Sequence, residues 1–294
     1  MGYQAGVDAY HGALREIDVA ALSNHYTDGL TYFHDQFVPQ LRRRLSALTG
    51  GVWQLDDFVA YAAGSDVDLM THIVEAVSVY DLVALFPGDW YGFLVGTSRR
   101  SSIAWTTVSE GSLACLCVPS VRNGHITSEM VEFLDKADAS LLNVNLFPTL
   151  SADDRRDVAA ALSPVLERSI LSISFSRGFG LTASQLGVAL VHKDHPYRAR
   201  FDARWRWLTY FYNHIAARAF EAIDLERMQA VDDQRRAWVS SWLGERGLPV
   251  VDSGTYYVKS FRPDGPVPEA LQPLVRGDVV RGGVIRLCFK PPMT

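Results

Sequence analysis

The amino-acid sequence predicts an α/β protein: a three-layer α/β/α arrangement around a mostly parallel central sheet, followed by a smaller C-terminal α+β domain. Short apolar runs typical of buried strands alternate with amphipathic stretches typical of helices. This alternation is characteristic of a parallel sheet with helices on both faces. Near Asp194 the alternation stops and a long helical region follows. With 48% hydrophobic and 21% charged residues over 294 positions, the chain can bury the core of one large domain or of two unequal ones.

An N-terminal helical arm is predicted over residues 1–50. Its clearest part is an amphipathic helix whose apolar residues recur every three or four positions. Pro39 falls in the first turn of this helix, where a missing N–H is tolerated. The apolar residues at this spacing are Phe37, Leu41, Leu45 and Leu48.

A major α/β domain is predicted over residues 51–198. Ser151 is a candidate helix N-cap, and Asp153 and Asp154 behind it suit the positive end of a helix dipole. The predicted strands cover residues 82–86, 103–108, 113–118, 140–146, 169–175 and 186–191. The predicted helices cover residues 67–79, 127–136 and 152–167.

An interdomain helix and a small α+β domain are predicted over residues 199–294. Apolar side chains at helical spacing indicate one long helical region at 199–246, which ends at Gly247 and Pro249. The predicted strands of this domain cover residues 254–259 and 284–289.

Charge and cysteine content restrict the classes of function. The chain has 28 Lys and Arg against 33 Asp and Glu, a net charge of −5, which argues against nucleic-acid binding. No apolar stretch approaches the ~18 residues of a membrane span, and the first residues lack the pattern of a targeting segment. The three cysteines (Cys115, Cys117 and Cys288) are an odd number, which favours free thiols in a reducing compartment. We therefore expect a cytoplasmic protein.

One segment carries a family resemblance. Ser174-Phe-Ser-Arg-Gly-Phe-Gly-Leu-Thr-Ala-Ser-Gln-Leu-Gly187 resembles the cofactor-lysine segment of the fold type I, aspartate aminotransferase-like enzymes, which use pyridoxal phosphate (PLP). The family pattern is Ser-x-Ser-Lys, a short stretch with Gly and an aromatic residue, and then Gly-x-Arg-x-Gly. The serines, the glycines and the following apolar strand match, but Arg177 stands in place of the lysine.

Further landmarks follow in the order of the family, from about residue 41 to the end of the chain. The loop Ala63-Gly-Ser-Asp66 resembles the phosphate-binding loop, so the resemblance implies an anion site at Gly64, Ser65 and Asp66, completed by Ser174 and Ser176. Three other segments have family counterparts: Phe86-Pro-Gly-Asp-Trp-Tyr-Gly-Phe93, whose Trp90 or Tyr91 would stack on the pyridine ring; Leu142-Asn-Val-Asn-Leu-Phe147, a strand that in the family ends in Asp; and Ile285-Arg286-Leu287, whose arginine would grip a substrate carboxylate.

The departures from the family are concentrated in the cofactor site. A guanidinium cannot form the Schiff base that the family's lysine forms, so Arg177 excludes that linkage at its own position. Asn143 or Asn145 replaces the aspartate that keeps the pyridine nitrogen protonated, which weakens electron-sink chemistry. The resemblance therefore implies a degenerate PLP site that has kept substrate binding, through Arg286, Trp90, Tyr91 and Asn145.

Two residues are candidates for catalysis. Arg177 would hold a substrate anion or stabilise a developing oxyanion; the alternative is a structural guanidinium paired with an acid. His125 is the first choice for a general acid/base because histidine titrates near neutral pH; the alternative is an ordinary surface-loop histidine. We expect no metal site, because His192 and His195 have the spacing of a solvated turn.

The leading hypothesis is a PLP-independent enzyme of amino-acid or specialised metabolism. It would act on a small amino, imino or keto acid by proton transfer, addition/elimination or cyclisation. One alternative is an enzyme that holds PLP non-covalently, and another is a non-catalytic partner of an active paralogue. The resemblance also implies a homodimer.

Overall fold

The computed structural model describes most of the chain, and every structural statement below refers to that part. The described residues are 3–18, 31–64, 67–77, 82–87, 89, 104–120, 125–181, 186–205, 214–248, 250–251, 255–261, 266–275 and 285–289. The helices are α1 (Gln4–Glu16), α2 (Val38–Leu48), α3 (Val67–Ala76), α4 (Ser128–Asp135), α5 (Ala152–Leu162), α6 (Arg198–Trp205), α7 (His214–Ala222) and α8 (Leu225–Gly244). The strands are β1 (Phe58–Ala63), β2 (Leu82–Leu85), β3 (Ala104–Thr106), β4 (Leu113–Cys117), β5 (Ala139–Asn143), β6 (Ser169–Ser174), β7 (Gly187–His192), β8 (Val250–Val251), β9 (Val258–Phe261) and β10 (Ile285–Cys288).

Seven strands form the main sheet, in the order β1-β7-β6-β5-β4-β2-β3. The pairs β5–β6, β4–β5, β2–β4 and β2–β3 are parallel, whereas β7 is antiparallel to both of its neighbours, β6 and β1. All the strands except β7 therefore run in one direction. The predicted mostly parallel sheet is confirmed.

Each face of the sheet is covered by its own apolar cluster. Because strand side chains alternate between faces, Leu142 of β5 joins the cluster that includes residues of α2, α5 and α7, whereas its neighbour Leu141 joins the cluster that includes residues of α3 and α6. Both residues are 0% exposed. The helices on the two faces complete the predicted three-layer arrangement.

One predicted helix of the main domain is shorter than the sequence indicated. The helix predicted at 152–167 begins as expected, with Ser151 Oγ accepting a hydrogen bond from Asp154 N at 3.1 Å. It ends at Leu162, and Ser163–Arg168 continues as a 3-10 helix. Pro164 explains the change, because proline has no N–H to donate to the carbonyl four residues earlier.

The long helix predicted at 199–246 is wrong. The described residues of this region form α6, α7 and α8, and residues 206–213 lie outside the described part. Between α7 and α8 the chain leaves the helical path at Asp224, whose carboxylate accepts a hydrogen bond from Arg227 N at 3.0 Å and caps α8. This local cap competes with continuation of the helix.

Strand β1 was not predicted from the sequence. Its residues, Phe-Val-Ala-Tyr-Ala-Ala, form an unbroken apolar run, which periodicity alone does not assign to a strand. The long-range antiparallel pairing with β7, from Phe58–His192 to Ala63–Gly187, decides the conformation. The strand predicted at 140–146 likewise ends early, at Asn143.

A second sheet of three strands, in the order β10-β9-β8, forms the C-terminal region, and its pairs are antiparallel. The strand predicted at 254–259 begins only at Val258. Tyr256 and Tyr257 precede it in a bend, and both are buried, at 0% and 1% exposed. This sheet agrees with the predicted small α+β domain, while the domain boundaries themselves stay predictions.

The N-terminal helices pack into the protein. Residues of α1 and α2 belong to the same apolar cluster as one face of the sheet, and α1 lies against α7. Arg44 of α2 donates hydrogen bonds to the carbonyl oxygens of Phe220, Glu221 and Ile223 at 2.8, 2.7 and 3.0 Å. These carbonyls belong to the last turn of α7, where a cation is favourable. The predicted arm therefore packs into the protein through apolar contacts on one face of the sheet and through hydrogen bonds with the end of α7.

Candidate functional site

The candidate site lies at one edge of the main sheet. The parallel strands β1, β4, β5 and β6 all end there, and β7, which runs the other way, begins there. In open α/β sheets the crevice outside the carboxyl ends of the strands is the usual place for a ligand. The residues at or just beyond these strand ends include Gly64, Cys117, Asn143, Asn145, Ser174, Ser176 and Arg177.

The two asparagines at the end of β5, Asn143 and Asn145, form different hydrogen bonds. Asn145 Oδ1 accepts a hydrogen bond from Ser174 N at 2.5 Å, so this side chain ties the end of β5 to the end of β6. Asn143 Oδ1 accepts a hydrogen bond from Asn145 N at 3.1 Å. The Nδ2 group of Asn143 contacts Met70 Sδ of α3 at 3.9 Å. Asn143, at the strand end itself, is therefore the residue with a side-chain donor directed toward α3.

Arg177 lies on a tight turn that follows β6. Gly180 N donates a hydrogen bond to Arg177 O at 3.1 Å and closes the turn, and the hydroxyls of Ser174 and Ser176 are 3.1 Å apart at its start. The side chain of Arg177 is exposed, and it has no ion pair or hydrogen bond to another described residue. The alternative of a structural guanidinium paired with an acid therefore finds no support in the described part of the chain.

Two close backbone approaches fix the floor of the turn and the start of β7. A Cβ on Gly178 would lie 2.5 Å from Asn145 O and 2.7 Å from Pro148 Cδ. A Cβ on Gly187 would overlap the carbonyl oxygen of Gly64. Only glycine fits at these two positions, because the Cβ of any other residue would overlap the facing backbone oxygen. The glycines that carry the sequence resemblance thus have a packing reason to be there.

Asp89 also lies at this edge, and it was not predicted from the sequence as a site residue. It is 5% exposed, and its carboxylate accepts hydrogen bonds from Cys117 N at 2.6 Å and from Ser120 Oγ at 3.2 Å. It thereby ties the segment after β2 to the loop after β4. The available signal was an acidic residue two positions after an apolar run that ends in Pro87.

Of the other predicted site residues, only some lie in the described part of the chain. His125 is half-buried, and its carbonyl oxygen accepts a hydrogen bond from Ser120 N at 3.4 Å, so it returns to the end of β4. For Arg286 the described part is the backbone, which pairs with Ser260 of β9. The predicted residues outside the described part are Ser65, Asp66, Trp90 and Tyr91.

Lysine is scarce in this chain and absent from the described part of this edge. The sequence holds four lysines, Lys136, Lys193, Lys259 and Lys290. Lys136 lies between α4 and β5, and Lys193 directly follows β7. Both therefore lie at the opposite edge of the sheet, where β5 begins and β7 ends. Lys259 lies in β9 of the small sheet, and Lys290 is outside the described residues.

The described part of the chain offers neither a metal cluster nor a membrane helix. Its residues contain no group of three or more His, Cys, Asp and Glu side chains that could hold a metal ion. The solvated turn predicted at His192 and His195 is wrong for His195, which is 4% exposed and accepts a hydrogen bond from Tyr197 N at 3.2 Å. Burial lowers the pKa of His195 to about 4. None of the described helices is both long and apolar enough to cross a membrane.

The N-terminal segment covers the Arg177 turn from the other side. A Cβ on Gly6 would lie 2.6 Å from Gly180 O, and a Cβ on Gly180 would lie within 3.0 Å of the Tyr3 ring. Tyr3 is only 1% exposed. Gly178 and Gly180 of the turn are therefore enclosed between the N-terminal segment on one side and the Asn145–Pro148 segment on the other, whereas the Arg177 side chain is exposed.

Tyr3 is held in place by hydrogen bonds within a buried group of side chains. We call this group the phenol–carboxylate cluster, and its members are Tyr3, Asp232, Tyr256 and Tyr257. Tyr3 and Tyr256 both donate hydrogen bonds to Asp232 Oδ1, Tyr3 at 2.6 Å, and the hydroxyls of Tyr3 and Tyr257 are 3.0 Å apart. The guanidinium of Arg235 lies 4.6 Å from the centre of the Tyr3 ring. Burial raises the pKa of Asp232 to about 6, despite the two phenol donors and the neighbouring Arg235 and Arg236.

This raised pKa predicts a pH dependence of stability. The folded protein holds the Asp232 proton up to about pH 6, whereas an unfolded aspartate loses it near pH 4, so the stabilisation is full below pH 4 and is lost as pH rises through 6. The difference amounts to about 3 kcal/mol at most. Asp232→Asn should remove this part of the slope in urea unfolding between pH 4 and 7. Asp233→Asn, at the exposed neighbouring position, is the control and should keep the slope; an unchanged slope in Asp232→Asn would contradict the assignment.

Known structures share this architecture. A probable N-succinyldiaminopimelate aminotransferase from Thermus thermophilus superimposes with a TM-score of 0.67 at 17% identity, over 99% of this chain and 88% of that one. An aspartate aminotransferase from Thermotoga maritima gives 0.65 at 13% identity, over 98% and 84%. The chain has an aspartate aminotransferase-like fold. The histidinol-phosphate aminotransferase from Sinorhizobium meliloti, solved in complex with pyridoxal-5'-phosphate, gives 0.61 at 16% identity, over 93% and 82%.

The aminotransferase-like fold confirms the sequence-based resemblance, and at these identities the likeness shows the fold alone. No family model and no curated relative matches the chain.

The described residues do not fit PLP held as it would be in an electron-sink enzyme of this family. The position expected for the Schiff-base lysine is Arg177, whose guanidinium is neither a free amine nor easily deprotonated. The resemblance places an anionic aspartate at the end of β5, but the residue there is Asn143, a neutral amide whose Nδ2 is a donor. The geometry of this edge therefore supports no reaction step through that cofactor.

Proposed function

We propose that this aminotransferase-like protein is a PLP-independent enzyme of amino-acid or specialised metabolism that acts on a small amino, imino or keto acid. The observation that carries the proposal is Arg177, an exposed cation without an acidic partner among the described residues, at the position of the missing lysine. A cation kept free at a strand edge suits an anionic substrate. It does not suit covalent attachment of an aldehyde cofactor.

The proposed roles follow from the geometry of the turn. Arg177 binds the carboxylate or a developing oxyanion through charge-assisted hydrogen bonds. Its turn is held by Asn145, through the bond from Ser174 N, and by the close contact of Gly178 with the Asn145 carbonyl. These contacts fix the backbone from which the Arg177 side chain extends.

His125 is the proposed proton donor or acceptor. Its backbone is hydrogen-bonded to Ser120, whose hydroxyl is in turn bound to Asp89, so the loop is anchored at the end of β4. Proton transfer, addition/elimination or cyclisation next to the carboxylate would need one such group together with Arg177. Arg286, Trp90 and Tyr91 stay candidates for substrate binding from the sequence resemblance.

An absorbance scan with added PLP tests the cofactor part of this proposal. After gel filtration to remove free PLP, the wild-type protein should show no aldimine band and no stoichiometric adduct that borohydride fixes at one of its four lysines. Arg177→Lys supplies the missing amine and is the matched comparison. A reducible adduct on wild-type protein, located by peptide mass spectrometry, would contradict the PLP-independent proposal.

The same scan separates the alternatives. A PLP spectrum that persists after gel filtration but leaves no reducible adduct would favour the non-covalent cofactor, for which the paired hydroxyls of Ser174 and Ser176 are candidate phosphate ligands. Co-purification with an active paralogue, together with no binding of amino or keto acids, would favour the non-catalytic partner. The homodimer and the cytoplasmic location stay predictions; light scattering tests the first.

A further inference from the structure

The orientation of the Asn143 amide is fixed by its neighbours. The backbone N–H of Asn145 is a donor, so the atom that faces it at 3.1 Å must be the amide oxygen of Asn143. The amide nitrogen then points elsewhere, and its contact among the described residues is the sulfur of Met70 at 3.9 Å. A thioether sulfur is a weak acceptor. Asn143 is 4% exposed, so bulk water does little to satisfy this donor.

Two acceptor groups of this edge are engaged with other donors. Asn145 Oδ1 accepts from Ser174 N, and the two carboxylate oxygens of Asp89 accept from Cys117 N and Ser120 Oγ. Arg177, beyond the next strand end, has donors only. Two hydrogen-bond donors at this edge, the Asn143 Nδ2 group and the Arg177 guanidinium, therefore have no oxygen or nitrogen acceptor among the described residues.

Resting on the proposed function, we propose that the site selects the 2-keto acid over the matching 2-amino acid, and that Asn143 determines this choice. The keto oxygen is a neutral acceptor that the Asn143 N–H can donate to, while the carboxylate pairs with Arg177. An ammonium group has three donors and no acceptor, so it would leave the Asn143 donor unpaired and face it with another donor. Burying unpaired polar groups is what makes such discrimination strong.

Calorimetric binding to the wild-type protein is the first test. Pyruvate should bind at least roughly tenfold more tightly than L-alanine, as expected for one hydrogen bond gained and one unpaired donor avoided, and 2-oxoglutarate should exceed L-glutamate likewise. L-lactate controls for shape, because it has the tetrahedral carbon of alanine but a hydroxyl that can accept; it should bind closer to pyruvate than to alanine. Equal or tighter binding of the amino acids would overturn the inference.

Variants at position 143 supply the second test. Asn143→Asp keeps the shape and the acceptor for Asn145 N but replaces the donor by an anionic oxygen, so the keto/amino affinity ratio should fall at least roughly tenfold. Asn143→Ala should give an intermediate ratio. An unchanged ratio in a folded Asn143→Asp protein would overturn the inference, and if that variant does not fold, the wild-type ratio decides. Failure of all the acids to bind would instead contradict the proposed function, and the inference with it.

Discussion

Arg177→Ala is expected to weaken pyruvate binding roughly ten- to a hundredfold, the effect of removing charge-assisted hydrogen bonds to a carboxylate. The free energy of unfolding should change by less than about 0.5 kcal/mol, because the side chain is exposed and has no ion pair or hydrogen bond to another described residue. Calorimetric titration measures the first quantity, and urea unfolding measures the second.

Arg156→Ala is the matched control for Arg177→Ala. Its side chain is also exposed, at 57%, and it forms a surface ion pair with Asp153 on α5. Such pairs contribute little to stability, and this residue lies away from the strand ends, so neither binding nor stability should change much. Loss of stability without loss of binding in Arg177→Ala would favour the structural interpretation of this arginine over the proposed binding role.

Gly180→Ala is expected to destabilise the protein by about 3 kcal/mol. The residue has φ of +67°, a conformation that costs about 1–2 kcal/mol for a residue with a Cβ. The new methyl group would in addition collide with the Tyr3 ring, and overpacking of this kind typically costs about 1–3 kcal/mol. We expect the collision to displace Tyr3 and with it the N-terminal segment from the Arg177 turn.

Gly111→Ala separates the two contributions. Gly111 has nearly the same backbone conformation, with φ of +66°, but a Cβ there would have no atom within 4 Å. Urea unfolding of both variants therefore gives the conformational cost alone and the cost with the collision. Hydrogen exchange of residues 3–9 should increase in Gly180→Ala and stay unchanged in Gly111→Ala. Equal destabilisation of the two variants would show that Tyr3 does not restrain the turn.

The site was partly readable in the sequence because its residues follow strand ends. Ser174, Ser176 and Arg177 directly follow an apolar run, and parallel strands bring such positions to one edge. The same reasoning did not decide whether Asn143 or Asn145 stands at the family's aspartate position, and it named Asn145 as the substrate-binding residue. Only the hydrogen bonds distinguish them: Asn145 Oδ1 accepts a hydrogen bond from Ser174 N of the next strand, whereas among the described residues the Asn143 Nδ2 donor contacts only the weak acceptor Met70 Sδ of α3.

Other features depend on contacts between distant parts of the chain. Strand β1 forms because its residues pair with β7, about 130 positions later, as in the pair Ala63–Gly187. Tyr3 is buried because it meets Asp232, 229 positions away in the sequence. No local pattern marks either event, since neither helical nor strand periodicity records what lies across the fold.

The sequence by itself determined the fold class, and it showed that residue 177 is an arginine, which cannot form a Schiff base. Apolar periodicity follows from local geometry, and an arginine in place of a lysine changes reactivity wherever it lies. Tertiary structure alone decided which polar groups are already hydrogen-bonded and which remain for a ligand. The orientation of the Asn143 amide, the exposure of Arg177 and the burial of Asp232 each depend on neighbours that only folding brings together.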